Sequence, residues 1–242
     1  FYSSNIPFGS KGDFITAPTI SNLFSEIIGI WIISSWEKLG KPKKFNLVEL
    51  GPGDGSLTKV LIKTFKKFPL FESSTKIFLY EKSKFLKKVQ KENINNDKIT
   101  WIDNFDNIKQ GPIIFFGNEF FDAIPIKQFL RQKNNFQEKC YIINSHGLRT
   151  TYRKALSDDI ANIKSFKSLN KLTFIEYPKQ GFNELDKIVK KISKLSGGIL
   201  LIDYGYLDRF NGSTLQAIMK NRKIKFERLV ENLGKADITY LV

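Results

Sequence analysis

The chain has 242 residues, 41% of them hydrophobic, enough to bury a sizeable core, so a single domain over 1–242 carrying one insertion is expected. One cysteine, Cys140, excludes an intramolecular disulfide, and one histidine, His146, leaves too few soft ligands for a zinc site of the usual kind, so a metal-free protein is expected. The net charge of +15 would suit nucleic acid, acidic protein or anionic lipid, yet the lysines are scattered among Ile, Asn and Phe, without the basic, aromatic-interleaved stripe of nucleic-acid readers.

In chain order, Phe1 to Pro18 is rich in Ser, Gly and Pro and reads as a loop. From Ile20 to Leu39, Ile20, Leu23, Phe24, Ile27, Trp31 and Leu39 recur at helical spacing, with Ile28 and Trp36 widening the stripe. The apolar stretch Ile27 to Ile33 is far short of the roughly 20 residues that span a bilayer. Asn46 to Leu50 is a strand, the glycine-rich turn follows, and Ser56 to Phe68 is a helix with Leu57, Val60, Leu61 and Phe65 inward. Ile77 to Tyr80, Thr100 to Ile102, Pro112 to Gly117 and Gly198 to Tyr204 supply four more strands, with helices at Ser83 to Glu92 and Asn183 to Ser196. Short uninterrupted apolar strands alternating with helices imply a doubly wound, Rossmann-like parallel sheet covered on both faces. The segment 126–180 holds three strand-like stretches and reads as an antiparallel insertion beside the mouth of the site. The chain starts at Phe1 rather than Met and ends in the apolar run Ile238, Tyr240, Leu241, Val242, an unfinished strand, so it reads as a fragment.

In such a sheet ligands bind outside the carboxyl ends of the strands. The residues there are Glu49 to Gly55, Glu81, Asp103, Asn118 to Asp122 and Asp203 to Gly205, an acidic set in a basic protein. Gly51, Gly53 and Gly55, with Pro52 between the first two, allow a tight turn and close approach of a ligand to the backbone. Their spacing is neither the dinucleotide fingerprint nor a phosphate-binding loop, and alone it is equally a plain strand-to-helix turn. Glu49 before the turn and Glu81 at the next strand end raise its meaning: Glu81 can accept both ribose hydroxyls and disfavours a 2′-phosphate. Asp103 is placed either to accept from an adenine amino group or to serve as a turn residue. An acidic, phosphate-indifferent pocket suits S-adenosyl-L-methionine, which carries a sulfonium cation and no phosphate.

The fourth strand runs into Asn118-Glu119-Phe120-Phe121-Asp122-Ala123-Ile124-Pro125. Glu119 and Asp122 are three apart and would face the same way on one helical turn. Two carboxylates that polarise a guanidinium and receive its proton would make it a nucleophile, with Phe120 and Phe121 excluding water. The alternative is that Glu119 caps a following helix and the phenylalanines are core.

With these residues in view the chain resembles the MidA family of S-adenosyl-L-methionine-dependent methyltransferases, whose mitochondrial members methylate arginine on a respiratory complex I subunit during its assembly. The resemblance rests on Lys11 to Pro18, Ile20-Ser21 with Phe24 and Glu26, Leu47 to Gly53, Asn118 to Pro125, Asp203-Tyr204-Gly205 and Ala236-Asp237-Ile238-Thr239. It implies that Gly12, Asp13, Thr16 and Pro18 wall the cofactor site; the catalytic residues expected are Glu119, Asp122 and Asn118, with Asn118 also expected to touch the cofactor. It also implies a protein substrate and a bacterial cytoplasmic or mitochondrial matrix location. Asp54 stands where the family commonly has Arg, Leu233 where it has Pro, and His146, outside every motif, reads as a surface loop residue. A methyltransferase for RNA or a small molecule, and a non-catalytic assembly factor that binds the cofactor for structure, are the competing expectations.

Overall fold

The computed structural model describes residues 21–133, 135–145, 147–206, 210–219, 222–225, 231 and 236–241. They form two compact units: everything described up to Phe120 together with Leu185–Ile202, and Phe121–Glu184 together with what is described from Asp203 onward.

The first unit opens with α1 (Asn22–Lys38), whose N-cap Ser21 accepts a hydrogen bond from the Leu23 amide. β1 (Phe45–Leu50), α2 (Ser56–Phe65), the short α3 (Pro69–Ser74), β2 (Thr75–Tyr80), α4 (Lys84–Ile94), β3 (Ile99–Ile102) and β4 (Ile113–Asn118) follow. After a second-unit segment, the sheet closes with β9 (Gly197–Ile202), and its strand order is β3-β2-β1-β4-β9. All four pairings are parallel. The chain builds outward from β1 through β2 to β3, then returns to place β4 on the other side, so the winding reverses between β1 and β4.

Successive residues of a strand point to opposite faces. Phe45, Leu47, Ile114 and Phe116 therefore pack with Ile28, Ile32, Trp36, Leu61 and Phe65 of α1 and α2 in one core. Val48, Leu50, Ile113 and Phe115 pack on the other face with Phe105, Ile188 and Ile192. Burial on both faces fits β1, which is buried from end to end with four of its six residues apolar.

Helix α1 is apolar around most of its circumference, and only the Ile28 and Trp36 side of the expected stripe is buried. Ile28, Ile32, Ile33 and Trp36 are buried, whereas Leu23, Ile27, Ile30 and Trp31 are exposed. Among the described residues no helix is long and apolar enough to cross a membrane.

The second unit contains β5 (Lys127–Gln132), β6 (Asn135–Asn144), β7 (Gly147–Lys154), α5 (Ser157–Ser165), a 3-10 turn (Lys167–Lys171) and β8 (Phe174–Tyr177). The strands form an antiparallel sheet of order β7-β6-β5-β8, and all of this lies in sequence between β4 and β9. Phe129, Phe136, Ile163, Ile175 and Tyr177 fill its core. Asp159 of α5 is fully buried, held by Lys127 at 2.6 Å and Lys179 at 2.7 Å. Lys179 starts α6 (Lys179–Leu195), inside which the division between the two units falls. A further sheet, β11-β10-β12, joins β10 (Gln216–Met219), β11 (Arg222–Ile224) and β12 (Asp237–Thr239), so the expected terminal strand is present but shorter than the apolar run.

Candidate functional site

The parallel ladder of the first unit runs one residue beyond three of its strands. Gly51 N–H donates to the Tyr80 carbonyl at 3.1 Å, Glu81 N–H to Ile102 at 3.2 Å and Glu119 N–H to Ile202 at 2.8 Å. Gly51, Glu81 and Glu119 are thereby locked at the carboxyl edge, on β1, β2 and β4, which are adjacent strands spaced about 5 Å apart.

Glu49 lies just inside that edge, 3% exposed, with the Thr58 hydroxyl of α2 donating to it. Burial pushes its carboxyl up to about 7, against that hydrogen bond, and the nearby Asp54 charge adds to the rise. Glu81 is also buried and also raised, burial again outweighing the hydrogen bonds it accepts. Those come from the Ser83 amide at 2.7 Å, from Gln90 Nε2 at 3.1 Å and from the Lys82 backbone amide. Two adjoining strand tips thus hold carboxyl groups that burial raises above the usual carboxylate range, in a chain with 39 basic residues.

The glycine turn between them has a different rationale at its ends from the one the sequence suggested. Gly51 has φ +60°, and a Cβ there would lie 2.9 Å from the Phe120 ring; Gly55 has φ +88°, and a Cβ there would lie 2.9 Å from Ile94. At both positions the space is filled by protein, so packing and backbone conformation, not ligand approach, demand glycine. Gly53, also at positive φ, is anchored through its carbonyl, which accepts from Gln90 Nε2 at 2.8 Å. Trp101 Nε1 donates to Gln90 Oε1 at 2.9 Å, and because an indole only donates, this fixes the orientation of the Gln90 amide. Gln90 therefore ties the turn, Glu81 and β3 together, and Asn93 adds a bond to the Asp54 carbonyl at 3.0 Å. The sequence did carry a signal for Gln90, since it stands at i+4 between the inward Leu86 and Ile94.

Asp103 sits after β3 and takes Lys87 at 2.5 Å through one oxygen. Asn118 ends β4, and its amide donates to Glu119 Oε1 at 3.3 Å. Glu119 has φ +54°, a left-handed conformation uncommon for a residue with a side chain, and residues 119–126 form bends and a turn. The helical turn expected to align Glu119 with Asp122 is not formed, and no helix begins there for Glu119 to cap; Glu119 belongs to the first unit and Asp122 to the second. Phe120 packs at the tip of β1 and Phe121 is buried, so the core reading describes Phe121. Gly12, Asp13, Thr16, Pro18 and His146 lie outside the described residues.

In the second unit two blocks far apart in sequence, Asp203 and Thr239–Tyr240, converge on Phe121 and Asp122. Asp203 Oδ2 accepts from the Phe121 amide at 3.1 Å and the Asp122 amide at 3.3 Å. The Thr239 hydroxyl donates to Asp122 Oδ2 at 2.9 Å, and the Tyr240 hydroxyl to the Phe121 carbonyl at 2.7 Å. Burial raises the Asp203 carboxyl, and raises the Tyr240 phenol together with the charges of Asp122, Asp203 and Glu176. This gives Asp203 and Thr239, singled out in the sequence without a role, a shared one: they set the backbone and side chain of Asp122.

Residues 27–242 match the protein family described as "Putative S-adenosyl-L-methionine-dependent methyltransferase". Similar curated proteins include the mitochondrial protein arginine methyltransferase NDUFAF7 of Danio rerio, 30% identical over 99% of this chain and 61% of that protein. The Drosophila melanogaster homologue is 29% identical over 99% and 60%. The chain thus spans about three fifths of the length of these relatives. Among solved structures, a Burkholderia thailandensis protein crystallised with S-adenosyl-homocysteine has a TM-score of 0.77 at 19% identity, covering 100% of this chain and 64% of that one, and the likeness establishes the fold.

Proposed function

From the premise that the chain belongs to this family of S-adenosyl-L-methionine-dependent methyltransferases, we propose that it methylates an arginine of a protein partner. The observation that carries the reading is the pair of buried carboxyl groups at adjoining strand tips, Glu49 and Glu81, both raised by burial. A positively charged ligand without phosphate relieves them, whereas a phosphate would add to their repulsion. The relatives named as protein arginine methyltransferases support the choice of acceptor, and their mitochondrial names favour the matrix, with bacterial cytoplasm as the alternative.

On this reading the turn Gly51-Pro52-Gly53 with Gly55 borders the cofactor, and the Glu81 carboxylate takes the ribose hydroxyls. Asp103, steadied by Lys87, offers its second oxygen to the adenine amino group. When bound, S-adenosyl-L-methionine supplies an electrophilic methyl on a sulfonium whose charge disappears on transfer. Glu119, oriented by Asn118, accepts a proton from the guanidinium, and Asp122, set by Thr239 and Asp203, orients it. The stretch 126–180 is the insertion of this methyltransferase fold.

Glu119→Gln keeps size and removes the proton acceptor. It should abolish transfer of labelled methyl to protein while calorimetric affinity for S-adenosyl-homocysteine stays within about twofold. Unchanged turnover would remove Glu119 from the mechanism.

A further inference from the structure

Within the second unit, a cavity of about 630 Å3 opens between the segment around Phe210 to Gln216 and strands β10 and β11. Tyr206 and Phe210, both nearly half exposed, line it with rings 6.0 Å apart at 63°. The Phe210 ring rests on Gly212, where a Cβ would lie 2.9 Å from it, so the ring is seated rather than splayed. Thr214 and Leu241 form the wall. The Thr214 hydroxyl donates to Glu176 at 2.5 Å and accepts from the Leu241 amide at 3.1 Å.

Glu176 is the unusual member. Its carboxylate is fixed by neutral donors, Gln128 Nε2 at 2.7 Å and the Thr214 amide and hydroxyl, and among the described residues no lysine or arginine pairs with it. The acidic neighbour Glu138, by contrast, has both Lys127 and Arg153. Its field reaches the cavity, because after burial it is the charge that raises the Tyr206 phenol. Lys223 brings a positive charge to the rim, but it is exposed on β11, whereas Glu176 is held in place. Two aromatic faces, with a fixed carboxylate bonded to the wall residue Thr214, make a receptor for a delocalised cation.

We infer that this cavity receives an arginine-bearing segment of the acceptor protein, a guanidinium other than the one that is methylated lying against Tyr206 and Phe210 under the charge of Glu176. The inference rests on the proposed arginine methyltransferase reading and assigns that reading an acceptor-binding surface. The cavity shares the segment 239–241 with the contacts that set Asp122, so wall and acceptor carboxylate are held by one stretch of chain.

The test uses the full chain and two peptides, N-acetyl-Gly-Gly-Arg-Gly-Gly-amide and its citrulline counterpart, with binding followed by NMR of ring-labelled Tyr and Phe. The arginine peptide should perturb Tyr206 and Phe210 and bind about tenfold more tightly than the citrulline peptide. Phe210→Leu and Tyr206→Leu should each weaken arginine-peptide binding about fivefold, and Glu176→Gln should narrow the preference over citrulline. Affinity for S-adenosyl-homocysteine should not move. Absence of arginine-peptide binding, equal binding of citrulline, or variants that bind as the parent does would each overturn the assignment. The two proposals separate cleanly. Binding that depends on Phe210 without methyl transfer to any arginine keeps the cavity and sinks the reaction. Transfer whose KM ignores Phe210→Leu keeps the reaction and sinks the cavity.

Discussion

Glu49→Gln offers the most direct reading of the buried charge at the strand tips. In the folded chain the Glu49 carboxyl is raised from 4.5 to about 7. At about 1.4 kcal/mol per pH unit, the ionised form costs the fold about 3 kcal/mol. Below pH 4.5 the carboxyl is protonated in both folded and unfolded chains, and nothing is lost. Between 4.5 and 7 the unfolded chain ionises while the folded chain still resists, so stability falls as pH rises; above 7 the whole cost is present and constant. Glutamine carries no charge and escapes this, while its extra amide N–H, if unmatched in the buried site, costs about 1 kcal/mol. The variant should therefore be about 1 kcal/mol less stable than the parent at pH 4.5 and about 2 kcal/mol more stable at pH 8. At this chain length that corresponds to a rise of about 4–8 °C in Tm at pH 8. Urea titrations followed by tryptophan fluorescence suit the measurement, because Trp31, Trp36 and Trp101 all lie in the first unit. S-adenosyl-L-methionine should shrink the advantage at pH 8, since a cation beside Glu49 favours the ionised parent. A variant whose stability difference keeps one sign and size from pH 4.5 to 8 would refute the argument.

Gly51→Ala places a Cβ at φ +60° and 2.9 Å from the Phe120 ring, so it should lower the stability of the first unit by about 2 kcal/mol in the same titration. Gln90→Leu keeps the inward apolar stripe of α4 but cuts the ties to Gly53, Glu81 and Trp101. It should weaken S-adenosyl-homocysteine binding by about tenfold in calorimetry, more than it lowers Tm would suggest. Asp159→Asn should destabilise the second unit by about 2 kcal/mol, read by hydrogen exchange in β5 and α5, because it removes the partner of Lys127 and Lys179. Burial alone would raise the Asp159 carboxyl, but the bonds from both lysines bring it below its usual value. Its stabilisation is therefore complete at neutral pH and is lost only as pH falls through that lowered value, so the variant and parent should converge in strong acid.

What the sequence made legible follows the range of the interactions involved. Short, largely apolar strands point to a sheet covered on both faces, so β1 and β4 announced the parallel sheet locally and β9 was legible as a strand although it is only partly buried, as were the carboxylates one residue past β2, β3, β4 and β9. The glycine turn was legible as a turn, but the reason for Gly51 and Gly55 was not. The atoms that forbid a side chain there belong to Phe120 and Ile94, 69 and 39 residues away in the chain. Helix α1 shows the opposite failure: with apolar residues on nearly every side, periodicity could not say which face docks, and the partner surfaces decided for Ile28 and Trp36.

The spacing argument for Glu119 and Asp122 fails for a related reason. Three residues apart means a shared face only if the backbone is helical, and here φ at Glu119 is +54°. A carboxylate reaching back from Asp203, 82 residues from Phe121, holds both amides that a helix would have turned inward. Thr239 and Tyr240 then secure the side chain of Asp122 and the carbonyl of Phe121 from 117 and 119 residues away. No window along the chain contains that information, yet part of its signature was present in two short blocks, at Asp203 and Thr239, whose residue types are among those that cap and clamp irregular backbone. Where a segment places acidic residues without a regular element to hold them, distant polar side chains must supply the constraint, and the search for them belongs at the ends of strands brought close by the sheet.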